Sequence, residues 1–362
     1  MNKKGSLFHI SKRDALPLPK ALLIRGGILV LALVFCGLVT TLLTGQNPIE
    51  VYGTILDGAF GSSRRIGVTA RNVAVLLGIS LAVTPAFKMR FWNIGAEGQT
   101  LIGCLATTTC MILLGGKVPS GVLILISFVA ALLAGALWGF LPAFFKAKWN
   151  TNETLFTLMM NYIIIGIVSY LQGGPWEGRP GSQIIPQFDA SACLPKVFGV
   201  HCGWIIVLVL VVLIHVYMRH TKHGYEIAVI GDSVNTARYA GMNVGRIMMR
   251  TMLLSGAISG IVGFIFVSGA NGTLYNGVAD GVGFTSITVA WLSQLNAFAM
   301  IAISMVLAIL SKGAETLQTQ LSVPASISDI ITGLLLFCML GCEFFINYRL
   351  IFRSSHQETE AA

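Results

Sequence analysis

Three polar side chains stand close together in Phe91-Trp92-Asn93-Ile94-Gly95-Ala96-Glu97-Gly98-Gln99, at the head of an otherwise apolar run. Asn93, Glu97 and Gln99 can accept and donate hydrogen bonds, and the glycines between them permit unwound backbone. A carboxylate inside a bilayer is costly and faces a bundle interior or a wet cavity. Two readings follow: the cluster lines a water-filled path or breaks the helix there, or it is a hydrogen-bond cluster holding that segment against its neighbours. Asn152, Glu153 and Asn161 form a second polar group. Asn161 falls about two turns beyond Glu153 on one helix face, which makes it the better path candidate. Glu153 suits the positive N-terminal end of the same helix, at an inner interface.

Other chemistry is missing from the sequence. No Gly-x-x-x-x-Gly-Lys-Ser/Thr phosphate loop occurs, since Gly115-Gly116-Lys117-Val118 lacks both the spacing and the hydroxyl. The six histidines form no metal-spaced set, and no metal or cofactor is expected. Ser255-Gly256 lacks the strand-turn-helix context of a nucleophile elbow. No acid/base constellation is legible, so the chain is not expected to be an enzyme. Of the seven cysteines, Cys36, Cys104, Cys110, Cys338 and Cys342 lie in apolar runs and read as packing. Cys193 and Cys202 share one loop and could be bridged or free.

The elements that must position these residues are membrane spans. Hydrophobic residues make up 55% of the chain, charged ones only 11%, and the mean hydropathy is +0.78. A water-soluble domain, with about a quarter charged residues, could not hide that much apolar surface. A helix crossing a ~30 Å hydrocarbon core needs about 20 apolar residues. Runs of that length fall at Leu22 to Thr44, Ile66 to Phe87, Phe91 to Leu114, Gly121 to Phe145, Glu153 to Leu171, Gly203 to Met218, Ile247 to Ser268 and Ile327 to Tyr348. Between Phe284 and Leu310 a further apolar region is interrupted by Ser293-Gln294-Leu295-Asn296. Its first half, Thr285 to Leu292, would rise only about 12 Å. It reads as a half-membrane helix turning back at Asn296, one leg of a hairpin, followed by a nearly full span from Ala297 to Ser311. The expected fold class is all-α, a polytopic membrane bundle of about ten segments including this broken helix.

Threading from an inside N-terminus places most of the 24 basic residues on one side: the cluster from Lys3 to Arg25, Lys88 and Arg90, Lys146 and Lys148, the loop from Arg219 to Arg250, and Arg349 with Arg353. That asymmetry is the signature of cytoplasmic loops, and it explains the net charge of +9 without nucleic acid. The outer segments and spans keep the other seven, among them Arg64 and Arg65 on the opposite side. The expected layout is a basic cytoplasmic N-terminus (1–21), a transmembrane domain (22–348) with an extracytoplasmic loop (172–202) and an inner loop (219–250), and a cytoplasmic tail (349–362). Gly135 with Gly139 and Gly256 with Gly260 are spaced for close helix approach in lipid.

The inner loop carries a short-helix pattern, with Asp232 or Ser233 as N-cap, Val234 to Ala240 as helix and Gly241 as stop. Such a knob is either a solvated loop or a docking element for a cytoplasmic partner. Gly224-Tyr225-Glu226 through Gly231-Asp232, then Ala237-Arg238-Tyr239-Ala240-Gly241-Met242-Asn243 and Leu254-Ser255-Gly256-Ala257, resembles the coupling loop of bacterial ABC-transporter permeases for simple sugars and nucleosides. Asn93-Ile94-Gly95-Ala96-Glu97-Gly98-Gln99 is similar to the signature of the nucleoside branch. Asn152-Glu153 with Thr157 to Tyr162, and Gly283 to Ala290, also match, so the resemblance runs from about Ile66 to the last span. One departure is Ser293 to Asn296, where that family has a glycine-rich turn.

The resemblance implies a permease in a bacterial cell membrane, importing a nucleoside or related simple sugar. It also implies a cytoplasmic ABC ATPase, a second permease subunit of paralogous sequence, an extracytoplasmic substrate-binding protein or lipoprotein, and membrane lipid as surroundings. Gly231, Asp232, Ser233, Ala237, Arg238, Ala240 and Gly241 would couple to the ATPase; Asn93, Glu97, Gln99 and Asn161 would line the path or break the helix. The alternative is an ion-coupled secondary transporter of a small polar solute.

Overall fold

In the computed structural model the described residues are 45–182, 184–186, 188, 193–197, 200–275, 277 and 281–320, with 8–12, 348–352 and scattered helical positions within 27–42 and 330–341. The expected first and last spans fall largely outside them. The fold is an all-α membrane bundle; among the described residues, seven helices are long and apolar enough to cross a bilayer. In chain order the elements are β1 (Phe8–Lys12), α1 (Pro48–Phe60), α2 (Ser63–Lys88), α3 (Ala96–Leu114), α4 (Ser120–Trp149), α5 (Glu153–Gln172), β2 (Lys196–Val197), β3 (Val200–His201), α6 (Gly203–His220), α7 (Lys222–Asp232), α8 (Val234–Tyr239), α9 (Val244–Ile265), α10 (Val282–Leu292), α11 (Ala297–Gln320) and β4 (Tyr348–Phe352).

Two compact units result: 60–309, and 1–59 with 310–362. In the second unit β1 pairs antiparallel with β4, Phe8 opposite Phe352 and Lys12 opposite Tyr348, which brings the two ends of the chain together. There α1 packs on the second half of α11: a Cβ added at Gly58 would lie 2.4 Å from Thr316 Oγ1, and one at Gly313 2.4 Å from Ile55 Cγ2. Sequence reading misses α1 because it is short and amphipathic, with Glu50 and Asp57 interrupting its apolar face. It also ends α11 too early. Lys312 and Glu315 pair with each other one turn apart, so the helix runs through charges that look like a boundary.

The large unit is organised around α9, whose apolar length is mostly buried. A Cβ at Gly260 would stand 2.1 Å from the Ala131 carbonyl oxygen, and one at Gly256 2.2 Å from that of Gly135. The expected small-residue faces of α4 and α9 therefore meet backbone to backbone. Such approach replaces the hydrophobic force, which is absent between helices in lipid, by dense dispersion contact. Beyond Ile265 the helix widens to a π-turn, Phe266–Asn271. The outer loop closes on this end: Leu194 N donates to Ser268 O (2.7 Å), Phe188 N to Gly272 O (2.9 Å) and Thr273 Oγ1 to Ile185 O (2.8 Å).

The broken helix differs in depth from its sequence reading. Its N-terminus, Gly281, is at Glu97, while Trp291 stacks on Trp92 with centroids 5.7 Å apart and touches Phe87 in the last turn of α2. Phe298 meets His215 on α6, and Thr84 Oγ1 donates to Met300 Sδ (3.7 Å). The turn at Ser293–Asn296 thus lies level with the basic ends of α2 and α6. At eleven residues α10 rises about 16 Å, half a ~30 Å core, too short to cross by itself. Break signals mark where a chain turns; they carry no depth. The turn itself uses left-handed Gln294 (φ 52°) and Leu295 (φ 59°) in place of glycines, with Asn296 Oδ1 accepting from Phe298 N (3.0 Å).

Candidate functional site

Residues 91–95 are not helical, and α3 starts only at Ala96. A broken segment in lipid must find partners for its freed backbone groups. Here side chains supply them. Asn93 and Gln99 form a reciprocal amide pair, each nitrogen donating to the other's oxygen at 3.2 Å. Asn93 Oδ1 also accepts from Gly95 N (3.0 Å), and Asn93 Nδ2 reaches Ser255 Oγ (3.3 Å) on α9. Ser259 Oγ donates to Gln99 Oε1 (3.4 Å). From α5, Asn161 Nδ2 donates to Ile94 O (3.0 Å) while its Oδ1 accepts from Gly98 N (2.9 Å). Thr157 Oγ1 accepts from Ile94 N (3.2 Å). Asn93, Glu97, Gln99 and Asn161 are all buried. The structure therefore unites the four expected residues in one constellation and adds Thr157, Ser255 and Ser259. Asn161 stood out in the sequence as a separate path candidate and not as a partner of the motif; the hydroxyls sit far off in sequence on faces that read as packing.

Glu97 joins a second element to this knot. Its Oε1 accepts from Gly281 N (3.3 Å), and a Cβ at Gly283 would lie 2.5 Å from Glu97 Cβ. Gly281, at φ 72°, begins α10, so the carboxylate faces the positive end of that helix. Glu153 stands at the N-terminal end of α5 and pairs with Lys146 at 2.9 Å across the Asn150 turn. Cys193 and Cys202 are separate free thiols, and no group that could hold a metal exists among the described residues.

The inner loop holds two helices where one was expected. Ser233, not Asp232, is the N-cap of α8, accepting from Thr236 N (3.2 Å). Gly241 (φ 74°) ends it, with Gly241 N donating to Arg238 O and Met242 N to Ala237 O, both 3.0 Å, a Schellman closure. Ala237 is fully buried while Tyr239 is 94% exposed, and Asp232, Arg238, Ala240 and Gly241 are exposed around it. Beneath α8 runs an apolar core that includes Ala86, Met89, Phe91, Ala143, Ile227, Ile230, Ile247 and Met252, drawn from α2, α4, α7, α9 and the broken segment. A Cβ at Gly231 would stand 2.0 Å from the Lys88 carbonyl oxygen, so α7 rests on the end of α2. The sequence conceals α7 because its apolar face is short and interrupted by charge.

Comparison with known proteins gives the family. Residues 66–340 match the family described as branched-chain amino acid transport system, permease component. A glucose ABC transporter permease protein of Haloferax volcanii is 32% identical over 340 residues, covering 88% of this chain and 87% of its own. A guanosine ABC transporter permease protein of Bacillus subtilis is 28% identical over 309 residues, covering 83% and 88%. A nucleoside ABC transporter permease protein of Lactococcus lactis is 24% identical over 340 residues, covering 89% and 92%. The chain belongs to this family: it is an integral-membrane permease component of an ABC transport system.

Proposed function

We propose that the chain forms half of the translocation path of an ABC importer for a nucleoside or a related simple sugar. The observation that carries the coupling mechanism is the α8 knob: an exposed face centred on Tyr239, seated by Ala237 on a core that reaches α2, α4 and α9. ATPase closure displaces α8, the core beneath transmits the displacement to α9, and the helices around the Asn93–Gln99 knot and α10 shift to release solute inward. A nucleotide can drive this only by binding the two states with different affinity. The substrate class is supported by the Asn93 to Gln99 signature and by the guanosine, nucleoside and glucose relatives. A binding protein delivers the solute from outside, and a second, paralogous permease completes the path. Outward apolar residues such as Leu133, Leu137, Val209 and Leu213 meet lipid or that partner. With the runs near residues 22–44 and 327–348, about ten segments cross, which returns both ends to the cytoplasm as the β1–β4 pairing favours.

Deleting 234–240 tests the coupling reading. The permease should still accumulate in the membrane but no longer retain the ATPase on purification; an intact complex would overturn the assignment.

A further inference from the structure

Helix α7 is fastened at both ends, and between them one side chain joins three elements. Thr221 caps α7, its Oγ1 accepting from Gly224 N (3.1 Å) and donating to Tyr217 O (2.7 Å). A Cβ at Gly224 would lie 2.5 Å from that same carbonyl oxygen, so α7 packs directly on the end of α6. His223 then points into the bundle. The Tyr217 hydroxyl of α6 is hydrogen bonded to its Nδ1, and Thr251 Oγ1 of α9 is 3.4 Å from its Nε2. The Thr251 hydroxyl hydrogen is already given to Ile247 O (2.8 Å), so toward the imidazole this oxygen can only accept. Nε2 therefore carries the proton, Nδ1 is the acceptor, and Tyr217 donates. One neutral tautomer satisfies all three groups.

We propose that His223 is a positioning residue that rivets α7 to both α6 and α9, so that movement of α8 reaches the central helix instead of being absorbed within the loop. The inference rests on α8 being the ATPase contact. Burial holds the imidazole below its usual range; the Ile247 carbonyl and Glu226 on α7 oppose this, and Arg250 on α9 reinforces it. Lys222, the other charge nearby on α7, faces Glu226 at 3.9 Å. A protonated ring would present two donors, forcing the Tyr217 hydroxyl to reverse. The rivet is thus made by the neutral form.

The test uses the assembled transporter in proteoliposomes, with radiolabelled guanosine or glucose as probe, reading ATP hydrolysed per solute imported and ATPase retention. His223→Ala should keep the ATPase and its hydrolysis while raising ATP spent per solute about tenfold, within the usual span of coupling between distant sites. Tyr217→Phe should give part of that effect, and the double variant no more than His223→Ala alone. Acidifying the ATPase side should move the wild type, but not His223→Ala, toward the uncoupled ratio. A wild-type ratio in His223→Ala, or parallel loss of hydrolysis and uptake with release of the ATPase, would overturn the proposal. If His223→Ala does not accumulate, Tyr217→Phe decides on the same readouts. Tyr239→Asp separates the two claims: continued ATPase retention there sinks the α8 reading, whereas release there with an unchanged His223→Ala ratio sinks the rivet alone.

Discussion

At the scale of the residue, the Asn93–Gln99 pair is the point where side-chain chemistry replaces helix. Gln99→Leu leaves the buried Ser259 hydroxyl without its acceptor and takes from the Asn93 amide one of its partners. A buried polar group so orphaned costs about 1–3 kcal/mol, so the variant should show a lower unfolding temperature in detergent than a surface control. An unchanged transition would contradict the pinning role. Glu97→Gln keeps the volume against Gly283 but removes the charge at the start of α10. Uptake should fall with surface expression normal, and wild-type uptake would remove Glu97 from the path. His201 offers a pH test on the opposite face. It is only 4% exposed, and burial first, then the charge of Arg71, lowers its pKa to about 4. The unfolded chain binds the proton more readily, so stability should be constant above roughly pH 6.5 and decline from there toward pH 4. His201→Ala should flatten thermal stability across that window; an unaltered slope would refute the assignment. The motif residues were legible because an acid and two amides in an apolar run are anomalous. Ser255 and Ser259 were not, because 162 and 160 residues separate them from their partners and small hydroxyls in a span look like packing.

At the scale of the element, the seam between α4 and α9 is the least forgiving feature. Gly260→Leu must place a side chain where a backbone carbonyl oxygen stands 2.1 Å from its Cβ. Backbone cannot step aside as a rotamer does, so the cost should exceed the roughly 1–3 kcal/mol of ordinary overpacking, and membrane yield should collapse. A normal yield would mean the helices are not so close. The α10–α11 turn should respond oppositely. Left-handed non-glycine residues cost of order 1 kcal/mol each, so Gln294→Gly, at φ 52°, should raise the unfolding temperature; a lowered one would contradict the strain. Long apolar elements announced themselves by length alone. The short helices α1 and α7 did not, since an amphipathic segment of eleven to thirteen residues resembles loop until its packing partner is known. Depth was equally hidden: nothing in Ser293–Asn296 says which end of the bundle it occupies.

At the scale of the molecule, the proposed topology puts both ends on the ATPase side, a reading supported by the charge asymmetry and by the β1–β4 pairing. A tag after residue 362 should be reached by protease only from the ATPase side; labelling of intact cells from outside would invert the topology. The central claim is that transport is powered through α8 by a separate ATPase. Proteoliposomes holding the permease pair, the ATPase and the binding protein measure it directly. Radiolabelled guanosine or glucose should accumulate only with ATP and the ATPase present, regardless of proton or sodium gradients. Accumulation driven by an ion gradient without ATP would contradict the account.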